Sequence, residues 1–157
     1  IVPPTQTLKD TLELDLGERK LTLRAWRTAH TDNDVSVFDE TTGTLWLSDL
    51  LFLGHTPVVD GNLKGWLAVM DELSGIKAKV VIPGHGAVQK NWPAAAQNQQ
   101  RYLESLLTET RLSIKQRKTI QQAVESVGIS EKDQWQLFGL FHRRNVTAAF
   151  AELEWED

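Results

Sequence analysis

The chain has 157 residues, enough for one hydrophobic core of ordinary size. Its 41% hydrophobic and 24% charged residues describe a globular domain, and a net charge of −4 argues against a nucleic-acid partner. No apolar run is long enough to span a bilayer. The absence of Cys excludes disulfides, thiolate metal sites and a cysteine nucleophile, so any metal must be held by His, Asp or Glu.

All 5 prolines and all but two of the 10 glycines precede residue 94. Residues 1–92 therefore read as strands, turns and one helix, and residues 93–157 as a helical extension packed on them. Leu12, Leu14 and Leu16 alternate with Glu13 and Asp15, and Leu21 and Leu23 alternate after Gly17-Glu18. That period of two predicts a hairpin whose second strand runs from Leu21 to Trp26. A second hairpin is predicted from Val35–Phe38, a turn at Glu40–Gly43, and Leu45–Ser48. Leu63, Trp66, Leu67, Met70 and Leu73 have helical spacing, with Asp60 or Asn62 as cap and Gly75 as stop. Lys79–Ile82 is a short strand closed by Pro83-Gly84. In the extension, Leu103, Leu106, Leu107 and Ile114 form one helical stripe, and Ile120, Val124 and Val127 another, ended by Gly128. Ser130 is a candidate cap for a helix through Trp135 and Leu137, and a last helix carries Val146, Phe150 and Leu153. These stripes are read as core.

Three of the 4 histidines lie in turn-rich sequence near strand ends, where a rigid sheet can aim a side chain into open space. His30 sits in Ala29-His30-Thr31-Asp32-Asn33-Asp34, Asp49 follows the Leu45–Ser48 strand, and His85 sits in Pro83-Gly84-His85-Gly86. Two imidazoles and a carboxylate suit Zn²⁺ or another borderline divalent ion, and a carboxylate can lie between two of them. The same residues also read as ordinary turn and cap positions. His55, six residues past Asp49, is a substrate contact, an additional ligand or a turn residue. Asp32 and Asp34 either hold the His30 ring or are solvated turn carboxylates. His142-Arg143-Arg144 reads as a helix surface whose stems pack on apolar neighbours, with an anion contact as the alternative.

The order of these segments resembles the metallo-β-lactamase superfamily, specifically the second half of its fold. The segments are His30-Thr31, then Leu47-Ser48-Asp49-Leu50-Leu51-Phe52, then Val81-Ile82-Pro83-Gly84-His85-Gly86. The resemblance implies that His30 is a ligand of a first zinc, Asp49 lies between the metals, and His85 is a ligand of the second. Leu53-Gly54-His55-Thr56-Pro57 and Phe141-His142-Arg143-Arg144-Asn145-Val146 are similar to the branch described as quinoprotein relay system zinc metallohydrolases. That branch implies a bacterial periplasmic setting.

One departure is plain: the superfamily's HxHxDH motif does not occur in this sequence. The fold expected is α/β, with an α+β layout: half of an αβ/βα sandwich plus the helical extension. The function implied is a zinc-dependent hydrolase holding one or two ions, in which metal-bound hydroxide attacks an ester, thioester or amide-like carbonyl of a small molecule. On this reading His30, Asp49 and His85 are the expected metal ligands, and Asp49 and His55 the expected catalytic residues. Lacking HxHxDH and an initiating Met, the chain is expected to be an incomplete fragment, inactive alone. The alternative is a non-catalytic interaction module. Either reading predicts pairing with the missing N-terminal half or with a second copy, because half a sandwich leaves a sheet uncovered.

Overall fold

The computed structural model describes residues 2–156. Both hairpins form where the alternation places them. Strands β1 (Thr11–Asp15) and β2 (Lys20–Ala25) pair antiparallel, and the Asp15 carboxylate accepts from the Gly17 N–H at 2.9 Å in the turn. Strands β3 (Val35–Asp39) and β4 (Thr44–Phe52) pair antiparallel around a turn organised by Asp39. Burial alone would raise the Asp39 carboxyl. Hydrogen bonds from Arg19, from the Thr42 hydroxyl and from the Thr42 and Thr41 N–H groups outweigh it and hold the pKa at about 2.

Strand β5 (Val80–His85) lies parallel to β4, which requires a crossover; helix α1 (Leu63–Ser74) provides it. The sheet order is β1-β2-β3-β4-β5. Asn62 caps α1 by accepting from Gly65 N–H at 2.6 Å, while Asp60, the other candidate, pairs with Arg144 instead. The next free N–H groups of α1, on Leu63 and Lys64, donate to the Glu152 carboxylate at 2.6 and 3.1 Å. Helices α2 (Gln97–Lys115), α3 (Ile120–Ser126) and α4 (Phe138–Leu153) complete the chain.

Three local expectations are corrected. Strand β4 does not end before Asp49. Ser48 adopts φ 48°, the pairing with β5 shifts on either side of it, and the strand continues through Phe52. Strand β5 likewise runs through Pro83-Gly84 to His85, which an edge strand tolerates because the missing proline N–H costs no inner ladder bond. Ser130 does not cap an α-helix: Ile129–Gln134 is a 3₁₀ turn preceded by Gly128 in the left-handed region.

The register sorts the sheet into two faces. Phe38, Leu45 and Val81 point to the helices, and the core they join includes Leu47, Leu50, Leu51, Trp66, Met70, Tyr102, Leu103, Leu106, Val124, Val146 and Phe150. On the other face, Leu12, Leu23, Val37, Trp46 and Ile82 form one row across all the strands. These five residues are partly or largely exposed and belong to no part of that core.

Candidate metal centre

The site forms at the end of the sheet where β4 and β5 emerge together. His30 lies in the loop between β2 and β3. Asp34 shapes that loop by accepting from the Thr31 N–H and hydroxyl, both at 2.9 Å. Neither Asp34 nor Asp32 bonds to the His30 ring. Asp32 turns instead to Asn33, so Asp34 acts on the loop and Asp32 is a turn carboxylate. The first turn of α1 presses on the same loop: a Cβ at Gly65 would run into the Thr28 carbonyl.

The His30 ring is buried and stands against Trp66 and Phe52, with centroids at 5.2 and 5.4 Å. Its Nδ1 lies 2.6 Å from the Val58 carbonyl oxygen, an acceptor, so Nδ1 carries the proton and donates. In the neutral ring Nε2 then carries the lone pair, and it faces Asp49 Oδ2 at 3.8 Å. Asp49 reaches this position through the Ser48 kink. The approach needs a glycine across the ladder, because a Cβ at Gly84 would collide with Asp49 Oδ1 and the Ser48 backbone. On the other side, His85 Nε2 lies 3.4 Å from Asp49 Oδ1. The His85 ring stacks on Phe52 at 4.5 Å and 18°, and His55 lies over His85 at 5.5 Å and 25°. Asp49 thus offers one oxygen to each of two imidazoles.

The helical extension holds this arrangement in place. Gln99 of α2 is fully buried; it accepts from the Phe52 N–H at 2.7 Å and donates to the Leu50 carbonyl at 2.8 Å. Both groups sit in the irregular end of β4, where the ladder cannot satisfy them. Asn145 of α4 grips the loop that carries Val58: it accepts from Val59 N–H at 3.0 Å and donates to the Pro57 carbonyl at 2.6 Å. It also lies 2.9 Å from the Tyr102 hydroxyl, which lies 3.0 Å from His142 Nδ1; His142 Nε2 lies 2.8 Å from the Val127 carbonyl. Burial pushes the Tyr102 hydroxyl above its ordinary value and lowers His142. With His142 neutral, Nε2 donates to Val127 and Nδ1 accepts from Tyr102. The surface reading of His142 is therefore corrected, since only 2% of the residue is exposed. A polar residue inside an apolar helical stripe was the available signal for Gln99, His142 and Asn145.

His30, Asp49, His55 and His85 share one pocket of about 430 Å³ with Phe52, Val58, Asp60, Leu137, Phe141 and Arg144. Among the described residues, no group of three or more His, Asp or Glu side chains is arranged to hold a metal ion. The donors present fit a zinc-like ion in kind, as imidazole nitrogens and a carboxylate, but are too few for closed coordination. One detail favours a cation between them: the His30 lone pair and an Asp49 oxygen are both acceptors, and they face each other.

No family model and no curated protein matches the sequence. Solved structures do. A metallo-β-lactamase family protein from Thermus thermophilus aligns over 98% of this chain and 50% of its own length, at a TM-score of 0.69 and 23% identity. The chain has the metallo-β-lactamase fold. A metallo-β-lactamase from Pontibacter korlensis covers 64% of the chain at a TM-score of 0.56 and 22% identity. The stereoselective inverting sec-alkylsulfatase from Pseudomonas sp. covers 99% of the chain and 27% of its own length, at 0.73 and 14% identity. At these identities the likeness is one of fold, and the chain spans about half the length of the metallo-β-lactamases it matches. Among the described residues, no helix is long and apolar enough to cross a membrane.

Proposed function

We propose that this chain contributes one half of the active site of a metal-dependent hydrolase of the metallo-β-lactamase type, with zinc as the metal. His30 Nε2, Asp49 and His85 Nε2 would be the ligands, and Asp49 would lie between two ions where both are bound. The observation that carries the reading is the pair of facing acceptors, His30 Nε2 and Asp49 Oδ2, in a pocket at the sheet end. Bound there, the metal would supply Lewis acidity for an ester, thioester or amide carbonyl and lower the pKa of water. This chain's own residues orient the donors: Val58 fixes the His30 tautomer, Phe52 supports the His85 ring, and His55 contacts substrate. The remaining ligands would come from a complementary half seated on the exposed Leu12–Ile82 row, and a bacterial periplasmic setting belongs to the same proposal.

Native mass spectrometry with added Zn²⁺ tests this reading. The expected result is weak binding of zinc by the wild-type chain, lost in Asp49→Asn and in His30→Ala. Binding that survives both substitutions, or no binding at millimolar zinc, overturns it. The exposed apolar row favours a second reading, an interaction module without catalysis. That reading expects the chain to self-associate whether or not zinc is present.

A further inference from the structure

Leu137 is held at φ 61° and ψ 18° immediately before α4, a conformation in which side chains bearing a Cβ are disfavoured and glycine is at home. The strain is imposed by a small stitch between two distant segments. Gln136 N–H donates to the Gly54 carbonyl at 2.8 Å, and the Gln136 carbonyl accepts from the Thr56 N–H and hydroxyl at 3.0 and 2.8 Å. This parallel bridge between His55 and Gln136 fixes the chain just where the next residue, Leu137, lines the pocket of His30, Asp49 and His85. Leu137 remains 43% exposed, so its side chain finds little cover from the fold itself. One turn further along α4, Phe141 lines the same pocket, as do Phe52 and Val58. The charged pair at the rim, Arg144 and Asp60, is already neutralised. A strained, poorly covered apolar side chain over a polar cluster points to a contact made with something else.

We propose that Leu137 and Phe141 form a recognition wall for a hydrocarbon group of the substrate. The substrate class is then one that carries an aliphatic chain beside its hydrolysable centre, rather than a wholly polar molecule. This inference rests on reading the pocket as hydrolytic, and it assigns the C-terminal helices a part in specificity. Leu140, on the same helix and 71% exposed, does not line the pocket and serves as the control.

The test is titration of the chain with butanoate, hexanoate and octanoate, followed by methyl NMR. Affinity is expected to rise roughly three- to fourfold per buried methylene, with the largest shifts at Leu137 and at the Val58 methyls. In Leu137→Gly and Phe141→Ala the dependence on chain length flattens, while Leu140→Ala leaves it intact. Leu137→Gly suits the left-handed backbone, so it should fold with an unchanged or higher melting temperature. A length dependence unchanged in Leu137→Gly, or shifts confined to Leu12 and Leu14 on the exposed sheet face, overturns the proposal. Zinc binding is measured separately. If the chain-length effect persists without it, the metal reading alone fails; if zinc binds and the effect is absent, this inference alone fails.

Discussion

Asn145 makes three hydrogen bonds from full burial, two of them to the backbone on either side of Val58, the residue whose carbonyl holds His30. Asn145→Ala would remove the partner of the Val59 N–H and of the Pro57 carbonyl, and leave the Tyr102 hydroxyl with His142 alone. A loss of about 2–3 kcal/mol is expected in urea unfolding, given the cost of unsatisfied buried polar groups. The distinguishing readout is the His30 ring. ¹⁵N shifts should report a single Nδ1–H tautomer in the wild-type chain and a mixture in the variant. A variant that loses stability but keeps the single tautomer would show that Asn145 supports the fold without positioning His30. That His30, Asp49 and His85 come together was legible from segment order, even though Asp49 and His85 lie inside β4 and β5 rather than in turns that follow them. The role of Asn145 was not: its place in an apolar stripe marks it as buried, but its partners lie 86 and 88 residues away and no local pattern names them.

Strand β4 shows why element boundaries were harder to read than element types. Alternation located both hairpins and the helical spacing located α1, as these periods are properties of neighbouring residues. The left-handed Ser48 breaks the alternation in mid-strand, and the run Leu50-Leu51-Phe52 is buried on every side, so no period marks its continuation. What keeps that run extended comes from another element, the Gln99 amide of α2. Gln99→Leu keeps the volume and removes the amide. It should cost about 1–3 kcal/mol, chiefly from the stranded Phe52 N–H, because the Leu50 carbonyl retains the Trp66 indole at 3.0 Å. Hydrogen exchange would show faster opening confined to 50–53, with β1 and β2 unaffected. Uniform acceleration across the sheet would sink this assignment.

For the whole molecule, titration sets the acid limit in two steps. Burial lowers His142 below its ordinary value of 6.5, whereas the unfolded chain takes up a proton there. Protonation therefore favours unfolding as pH falls below about 6.5, with a slope of up to about 1.4 kcal/mol per pH unit for one proton. Urea midpoints at pH 7.5, 6.5 and 5.5 should fall for the wild-type chain and stay flatter for His142→Gln. Equal slopes would show that another group titrates. A second loss is expected between about pH 4.5 and 2. There Asp39 and Glu156 take up protons in the unfolded chain first: Glu156 is held at about 2 by its bonds to Arg111 and Lys64, and Asp39 at about 2 by Arg19 and the turn.

The strands are neighbours in chain order, and that fixes the sequence of events on the ribosome. Each strand can pair with the one synthesised just before it, and β5 joins as soon as α1 has emerged. The side chains that secure the pocket, Gln99 and Asn145, leave the tunnel after every strand of the sheet. A nascent chain halted after β5 would carry its sheet and the three pocket histidines while the end of β4 and the Pro57–Val59 loop were still loose. The pocket then acquires its geometry only once α4 has emerged, so a chain cut short before Asn145 would fold a sheet without the loop contacts that shape the pocket.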